Sequence, residues 1–217
     1  MKNYRLVVIR HGHTEGNETA RYIGKTDIPL SKNGLSEIEN IAKEFEYPYV
    51  EKVYSSPTLR CIQTARILFP DTELVTLDGV RELDFGRFEN KSVEELIDLP
   101  EYKEWLKGGL DNNAHGGETI REMIGRTVAA INDILEDMMS MEIYDAAVVT
   151  HSGIIMNMLS CFGLPRMEPM KFACDVGEGY VIAFNLQMWQ TGGVFEIMGK
   201  VPVPKDSEEE FSENEED

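Results

Sequence analysis

Residues 5–11 read RLVVIRH, and residues 145–151 read DAAVVTH. Each stretch is a short, nearly uninterrupted apolar run that closes on a histidine, and such a run is typical of a strand buried on both faces of a sheet. Runs of this kind alternate along the chain with amphipathic helical patterns. The alternation predicts a three-layer α/β/α fold with a mostly parallel central sheet.

The other elements follow from the same periodicities. Strands are predicted at 52–56, 73–77, 179–186 and 194–201, and helices at 31–45, 58–69, 118–139 and 153–163. Ser31 is the predicted N-cap of the first of these helices, and Ser56 with Pro57 is predicted to begin the second. Ser92 and Glu95 form a capping box, which predicts a short helix at 92–97.

Length and charge limit the organisation of the chain. Its 217 residues fit one domain, residues 1–204, with an insertion at 84–115. Residues 205–217 read KDSEEEFSENEED, which predicts an acidic disordered tail. The net charge of −18 repels nucleic acid and anionic membranes, so neither is an expected partner. An anionic substrate would require a concentrated cationic pocket.

Cysteine usage and hydropathy indicate the compartment. The three cysteines, Cys61, Cys161 and Cys174, are an odd set without metal-like spacing. The first residues lack the apolar run of a signal peptide, and no stretch approaches the roughly 20 apolar residues of a membrane span. A reducing, cytoplasmic location is therefore expected. The sequence leaves the oligomeric state open.

Four chemically capable side chains are expected at one edge of the sheet. His11 and His151 end two predicted strands, and Arg60 lies in the first turn of the helix that follows a third. Glu82 follows the strand at 73–77. Ligands bind at the carboxyl ends of strands in open α/β sheets, so these positions predict a shared site. Each residue alone has a structural explanation, and their joint placement favours function.

Metal binding and phosphate chemistry are the competing hypotheses for this site. His11 and His13 could present two metal ligands, with His115 and His151 completing the set. The adjacent guanidinium of Arg10 disfavours a dication there. Arginine pairs with phosphate oxygens in a bidentate manner, so Arg10 and Arg60 favour a phosphoryl group.

The same residues provide a mechanism without a metal or cofactor. A neutral histidine attacks phosphorus, the second histidine stabilises charge on the equatorial oxygens, and a carboxylic acid protonates the leaving oxygen. His11, His151 and Glu82 are the predicted groups for these roles.

Several motifs together resemble one known family. They are RHGHTEGN (10–17), YIGKTDIPLSKNG (22–34), VYSSPTLRCIQTA (53–65), RELDFG (81–86), GGET (116–119) and VVTHSG (148–153). In this order they resemble the histidine phosphatase superfamily, which implies the phosphoglycerate-mutase-like fold. The resemblance implies that His11 is the nucleophile, that Glu82 is the general acid/base, and that a small phosphorylated metabolite is hydrolysed to inorganic phosphate.

The resemblance also implies the remaining members of the phosphate pocket. These are Arg10, Asn17, Arg60 and His151, with Ile23 and Gly24 contacting substrate through the backbone. Asn17 could instead be a capping residue, and Gly24 a turn glycine. No metal site and no cofactor are implied.

The segment RELDFGRFENKS (81–92) is closer to small phosphatases of the α-ribazole and broad-specificity type than to cofactor-dependent mutases. Arg87 departs from that pattern and is either a second anion contact or a surface residue. Phe85, Phe88, Tyr102 and Trp105 either line a substrate pocket or form a small core of the insertion. α-Ribazole phosphate, phosphoserine, sugar phosphates and phosphoglycerates all stay open as substrates. A phosphoglycerate mutase and an inactive phospho-ligand-binding module are the alternative functions.

Overall fold

A computed structural model describes residues 3–205 of the chain. Seven strands of this described part form one sheet in the order β4-β3-β5-β1-β7-β8-β6. The strands are β1 Asn3–Arg10, β3 Lys52–Ser55, β4 Leu74–Thr76, β5 Asp145–Thr150, β6 Gly163–Leu164, β7 Gly179–Asn185 and β8 Phe195–Val201. Within these seven, β7 alone runs against the others. Short strands β2 (Phe45–Glu46) and β9 (Val203–Pro204) pair separately.

The helices cover both faces of the sheet. They are α1 Glu15–Glu18, α2 Lys32–Glu44, α3 Leu59–Leu68, α4 Val93–Leu96, α5 Pro100–Trp105, α6 Ile120–Ser140, α7 Ser152–Phe162 and α8 Leu186–Gly192. Alternate residues of β1 face opposite layers: Leu6 and Val8 pack with α6 and α7, whereas Val7 and Ile9 pack with α3. The predicted three-layer, mostly parallel α/β/α fold is confirmed. None of the helices in residues 3–205 is both long and apolar enough to cross a membrane.

The register between β1 and β5 positions the two histidines. The strands are parallel neighbours, and Arg10 pairs with Thr150 at their carboxyl ends. The next residue of each strand is a histidine, and the His11 N–H donates to the Thr150 carbonyl over 3.0 Å. Parallel pairing in this register therefore brings His11 and His151 side by side.

The beginning of α3 differs from the prediction. Ser56 and Pro57 do not start this helix: Thr58 is its N-cap residue, and the first helical residue is Leu59. The Leu59 N–H donates instead to the Asp27 carboxylate over 2.7 Å, so the cap comes from a distant loop. Ser56 is thereby free for another contact.

The predicted N-terminal caps of two other helices are confirmed. Ser31 caps α2, and Ser92 with Glu95 forms the predicted capping box. The connection between β7 and β8 contains α8, a helix that the sequence patterns did not predict. The predicted tail at 205–217 lies outside the described residues except for Lys205.

Candidate active site

His11 is held as a neutral imidazole with one defined tautomer. Its side chain lies just beyond β1 and is buried, with only 6% exposed. Its Nδ1 is 2.7 Å from the Gly12 carbonyl oxygen, which can only accept a hydrogen bond. Nδ1 therefore carries the proton, and the lone pair is on Nε2. Burial and the nearby guanidinium of Arg60 lower the pKa of His11 to about 3, so the ring is neutral near pH 7.

His151 lies beside His11 at the end of β5. The two ring centroids are 5.0 Å apart in an edge-on arrangement. The Nε2 of His151 is 2.9 Å from Ser56 Oγ, and its Nδ1 faces Arg60 Nη2 at 3.4 Å. Burial, followed by the proximity of His11, lowers the pKa of His151 well below its ordinary value.

Arg60 is a fully buried cation in the first turn of α3. Its Nη1 donates to the Thr26 carbonyl and its Nη2 to the Gly24 carbonyl, each over 2.8 Å. Its Nε has no hydrogen-bond partner among the described residues. Burial lowers the pKa of Arg60, because removal from water disfavours the charged guanidinium.

Arg10 provides a second guanidinium next to His11. Its Nη1 donates to the Cys174 carbonyl over 2.7 Å, and within the described chain its buried Nε also has no partner. Neither Arg10 nor Arg60 has a carboxylate within salt-bridge distance in residues 3–205. Within the described part of the chain, two cations without a carboxylate partner thus flank one neutral histidine.

Glu82 approaches the site from the segment after β4. Its Oε1 accepts from the Leu83 N–H over 3.0 Å, and its Oε2 accepts from the Gly153 N–H over 3.1 Å. Burial raises the pKa of Glu82, and the two N–H groups oppose that shift. Gly153 lies two residues after His151, so this carboxyl group is on the same edge of the sheet as the two histidines.

The remaining predicted pocket residues have structural partners as well. Asn17 Oδ1 accepts from the N–H and the hydroxyl of Thr14 and so caps α1, whereas its Nδ2 has no partner among the described residues. Ile23 is buried. The Gly24 carbonyl holds Arg60, but the Gly24 N–H donates to Glu89 over 3.2 Å. This N–H is therefore committed to protein rather than left for substrate.

The other two histidines are more exposed than His11 and His151. His13 Nδ1 is 2.7 Å from Glu37 Oε2 in a partly exposed pair, and His115 is exposed. Among residues 3–205, no three His, Cys, Asp or Glu side chains are grouped closely enough to hold a metal ion.

Sequence reasoning did not assign Ser56 or Glu89 to the site. Ser56 was predicted to be a helix cap, but its hydroxyl lies within hydrogen-bond distance of His151 Nε2. Glu89 binds the turn that holds Arg60, and it belongs to the same RELDFGRFENKS segment as Glu82. The serine pair before Pro57 and the clustering of acids around Phe85 were the available signals.

The aromatic residues of the insertion form a small core. Phe88 and Tyr102 are buried, and Phe85 and Trp105 pack against them. Tyr22 joins from outside the insertion, with its hydroxyl 2.7 Å from that of Tyr102. The hypothesis of a separate core is confirmed.

A cavity of about 570 Å³ opens beside Glu82. Its walls carry charges of both signs, and two of its ion pairs are Lys25 with Asp84 and Arg126 with Glu118. Arg126 also donates to the carbonyl of Glu82 over 3.0 Å. Arg87 is an exposed residue that does not line this cavity.

Comparisons with known proteins agree on one family. The family model of the histidine phosphatase superfamily (branch 1) matches residues 6–195. Phosphoserine phosphatase 1 of Hydrogenobacter thermophilus is 26% identical over 184 residues, covering 82% of this chain and 85% of the relative. The adenosylcobalamin/alpha-ribazole phosphatase of Escherichia coli is 24% identical over 189 residues, covering 83% and 90%. A solved phosphoglycerate mutase from Bacillus anthracis superposes with a TM-score of 0.73 at 21% identity, over 90% of this chain and 92% of that one. This superposition confirms the predicted phosphoglycerate-mutase-like fold.

Proposed function

The chain belongs to the histidine phosphatase superfamily and is a phosphatase, and we propose that it hydrolyses a small phosphate monoester through a phosphohistidine on His11, without a metal ion. Arg60 is the strongest support for this proposal. The guanidinium is completely buried, and no carboxylate of the described residues pairs with it. A buried cation of this kind requires an anion, and a phosphoryl group provides one beside a neutral histidine.

In the first step, His11 Nε2 attacks phosphorus in line with the leaving oxygen. The N–P bond forms as the P–O bond to the leaving group breaks, and the Glu82 carboxyl gives its proton to the departing oxygen. Arg10, Arg60 and His151 stabilise the charge on the equatorial oxygens. The hydrogen bond from Nδ1 to Gly12 supports this assignment, since it leaves Nε2 as the nucleophilic nitrogen.

In the second step, water cleaves the phosphohistidine. The Glu82 carboxylate takes one proton from the water as its oxygen attacks phosphorus, the N–P bond breaks, and inorganic phosphate leaves. His11 returns to the neutral form, and Glu82 is again protonated. Burial favours the acid form of Glu82 and the two N–H donors favour the carboxylate, so its environment suits both steps.

We place the leaving group in the cavity beside Glu82. Its walls hold ion pairs rather than apolar side chains, which favours a polar alcohol such as a sugar, an amino acid or a hydroxy acid. α-Ribazole phosphate, phosphoserine, sugar phosphates and phosphoglycerates are the substrates to test. We also propose a reducing, cytoplasmic location, because all three cysteines are free thiols.

The test compares 4-nitrophenyl phosphate hydrolysis in excess EDTA by the wild type, His11→Ala and His13→Ala. His13→Ala is the matched control, since His13 pairs with Glu37 and has no role in the proposed mechanism. We expect activity in the wild type and the control, and loss of at least about 10³-fold in His11→Ala. Brief labelling with ³²P-phosphomonoester should leave acid-labile, alkali-stable label on the wild type and on His13→Ala, but not on His11→Ala.

Other outcomes would contradict parts of the proposal. Activity that EDTA abolishes would favour the metal hypothesis. Phosphoryl transfer between positions of a phosphoglycerate that outpaces hydrolysis would identify a mutase. Binding of phosphate without turnover of any candidate substrate would identify a binding module.

A further inference from the structure

We propose that Glu89 is a positioning residue that fixes Arg60 and Glu82 relative to each other, an inference that rests on the proposed function. Glu89 lies in the 81–92 segment, and its partly buried carboxylate contacts neither histidine. It accepts five hydrogen bonds from two separate segments of the chain. Those two segments hold the phosphate-binding cation and the general acid.

The first segment is the turn at residues 24–26. Its backbone N–H groups donate to Glu89: Gly24 over 3.2 Å, Lys25 over 3.0 Å and Thr26 over 3.2 Å. The Thr26 hydroxyl adds a fourth bond of 2.5 Å. On the opposite side, the carbonyls of Gly24 and Thr26 accept from Arg60. The peptide dipoles of this turn therefore lie between the Glu89 carboxylate and the Arg60 guanidinium and stabilise both.

The second segment carries Glu82. The Phe85 N–H donates to Glu89 Oε1 over 3.0 Å, three residues after the general acid. The two segments also touch directly, because a Cβ added to Gly24 would lie 1.9 Å from the Leu83 carbonyl oxygen. Glu89 thus closes a chain of contacts that runs from Arg60 through the turn to the Glu82 segment.

Only a carboxylate satisfies this arrangement. All five groups that face Glu89 are donors, two on Oε1 and three on Oε2. In Glu89→Gln an amide NH₂ would replace one oxygen and face two backbone N–H groups, which cannot accept its hydrogens. The substitution hardly changes the side-chain volume, so it tests the hydrogen bonds rather than the packing.

The experiment compares Glu89→Gln with Glu95→Gln on two substrates. Glu95 is a carboxylate of the same insertion that accepts a backbone N–H, from Ser92, but it does not bind the 24–26 turn. The substrates are 4-nitrophenyl phosphate, whose leaving group departs without protonation, and an alkyl phosphate such as glycerol phosphate, which needs the acid. The dissociation constant of inorganic phosphate is measured by calorimetry.

We expect Glu89→Gln to lower kcat/KM about 100-fold on the alkyl phosphate and about 10-fold on the aryl phosphate, because a displaced acid affects the poorer leaving group more. Phosphate should bind roughly 10-fold more weakly, because Arg60 loses its support. Glu95→Gln should match the wild type. The proposal would be overturned if Glu89→Gln behaved like Glu95→Gln. It would also be overturned if kcat/KM fell by the same factor on both substrates while the phosphate affinity stayed unchanged.

A milder variant covers the case in which Glu89→Gln does not fold. Thr26→Val removes one of the five hydrogen bonds and keeps the side-chain shape. We expect the same preference for aryl over alkyl substrate, by roughly threefold; an unchanged ratio would overturn the proposal. Failure of the wild type to hydrolyse either substrate would reject the proposed function instead, and the phosphate affinities would still test the Arg60 contact.

Discussion

Arg60 carries a positive charge at a point that solvent does not reach, and its nearest acceptors are two backbone carbonyls. Carbonyl dipoles solvate part of that charge but do not neutralise it. An anion that enters the pocket therefore gains more from this guanidinium than from one at the surface. The same charge destabilises the protein when the pocket holds no anion.

Inorganic phosphate should consequently stabilise the folded protein. At about 100 times its dissociation constant we expect a gain of about 2.7 kcal/mol in the free energy of unfolding, measured by chemical denaturation. Arg60→Lys should lose most of this gain at the same phosphate concentration, because one ammonium group cannot reach both carbonyls and a phosphate oxygen. An equal gain in both proteins would place the phosphate elsewhere.

The raised pKa of Glu82 predicts the direction of the pH dependence. In the proposed mechanism, hydrolysis of an alkyl phosphate needs the protonated carboxyl of Glu82. Burial keeps this group protonated to a higher pH than an exposed glutamate. We expect kcat/KM to fall as pH rises through this raised pKa. Glu82→Gln should lower the rate and remove that descending limb, and a limb that persists would assign the titration to another group.

At this scale the sequence predicted which candidate reactive residues meet at one edge of the sheet, but not the residues that support them. His11, Arg60, Glu82 and His151 could be proposed because each follows a strand or begins a helix at a predictable edge. Ser56 and Glu89 were not proposed, because their contacts depend on which loops come together in space. A helix-cap pattern such as Ser56-Pro57 describes only local geometry, and here a carboxylate from residue 27 took over the cap.

Among the elements, α7 bears most directly on Glu82, the proposed general acid. It begins at Ser152 immediately after His151, and its second residue, Gly153, donates to Glu82. A Cβ added to Gly153 would lie 2.4 Å from Glu82 Oε1. The lack of a side chain at this position is therefore what allows the carboxyl group to approach the helix.

Gly153→Ala should displace Glu82 and lower kcat/KM on an alkyl phosphate by about 100-fold. Gly125→Ala is the matched control, because Gly125 is an exposed residue of α6 with open space around its Cα. That substitution should raise the free energy of unfolding by about 0.5–1 kcal/mol and leave activity unchanged. Steady-state kinetics and urea unfolding measure both effects, and normal activity in Gly153→Ala would refute the steric argument.

The more deeply buried strands and helices were easier to predict from the sequence. The strands buried on both faces and the long α6 were predictable within a few residues, since their apolar periodicity is strong. The short helices were harder to predict. Helix α8 connects two antiparallel strands, and its residue pattern is not distinguishable from that of a turn. Its N-cap, Asn185, accepts from the N–H groups of Gln187 and Met188, which is equally usual in a loop.

For the whole molecule, the net charge of −18 opposes the approach of a phosphate dianion. At 0.1 M salt, repulsion between exposed charges is largely screened beyond about 10 Å. The buried guanidinium groups are screened less. We expect kcat/KM for an anionic substrate to rise roughly two- to threefold between 10 and 150 mM salt. A neutral monovalent salt and a stopped-flow or initial-rate assay suffice, and a decrease with salt would mean that the pocket attracts substrate over a long range.

The pairing of β1 with β5 has a consequence for the time course of folding. His11 and His151 become neighbours only when two strands that are more than half the chain apart in sequence align in one register. Closing so long a loop is slow compared with forming local helices. On refolding from denaturant, helical circular dichroism should therefore recover before phosphate binding. During synthesis, the proposed nucleophile His11 gains His151 as its neighbour only after most of the protein has left the ribosome.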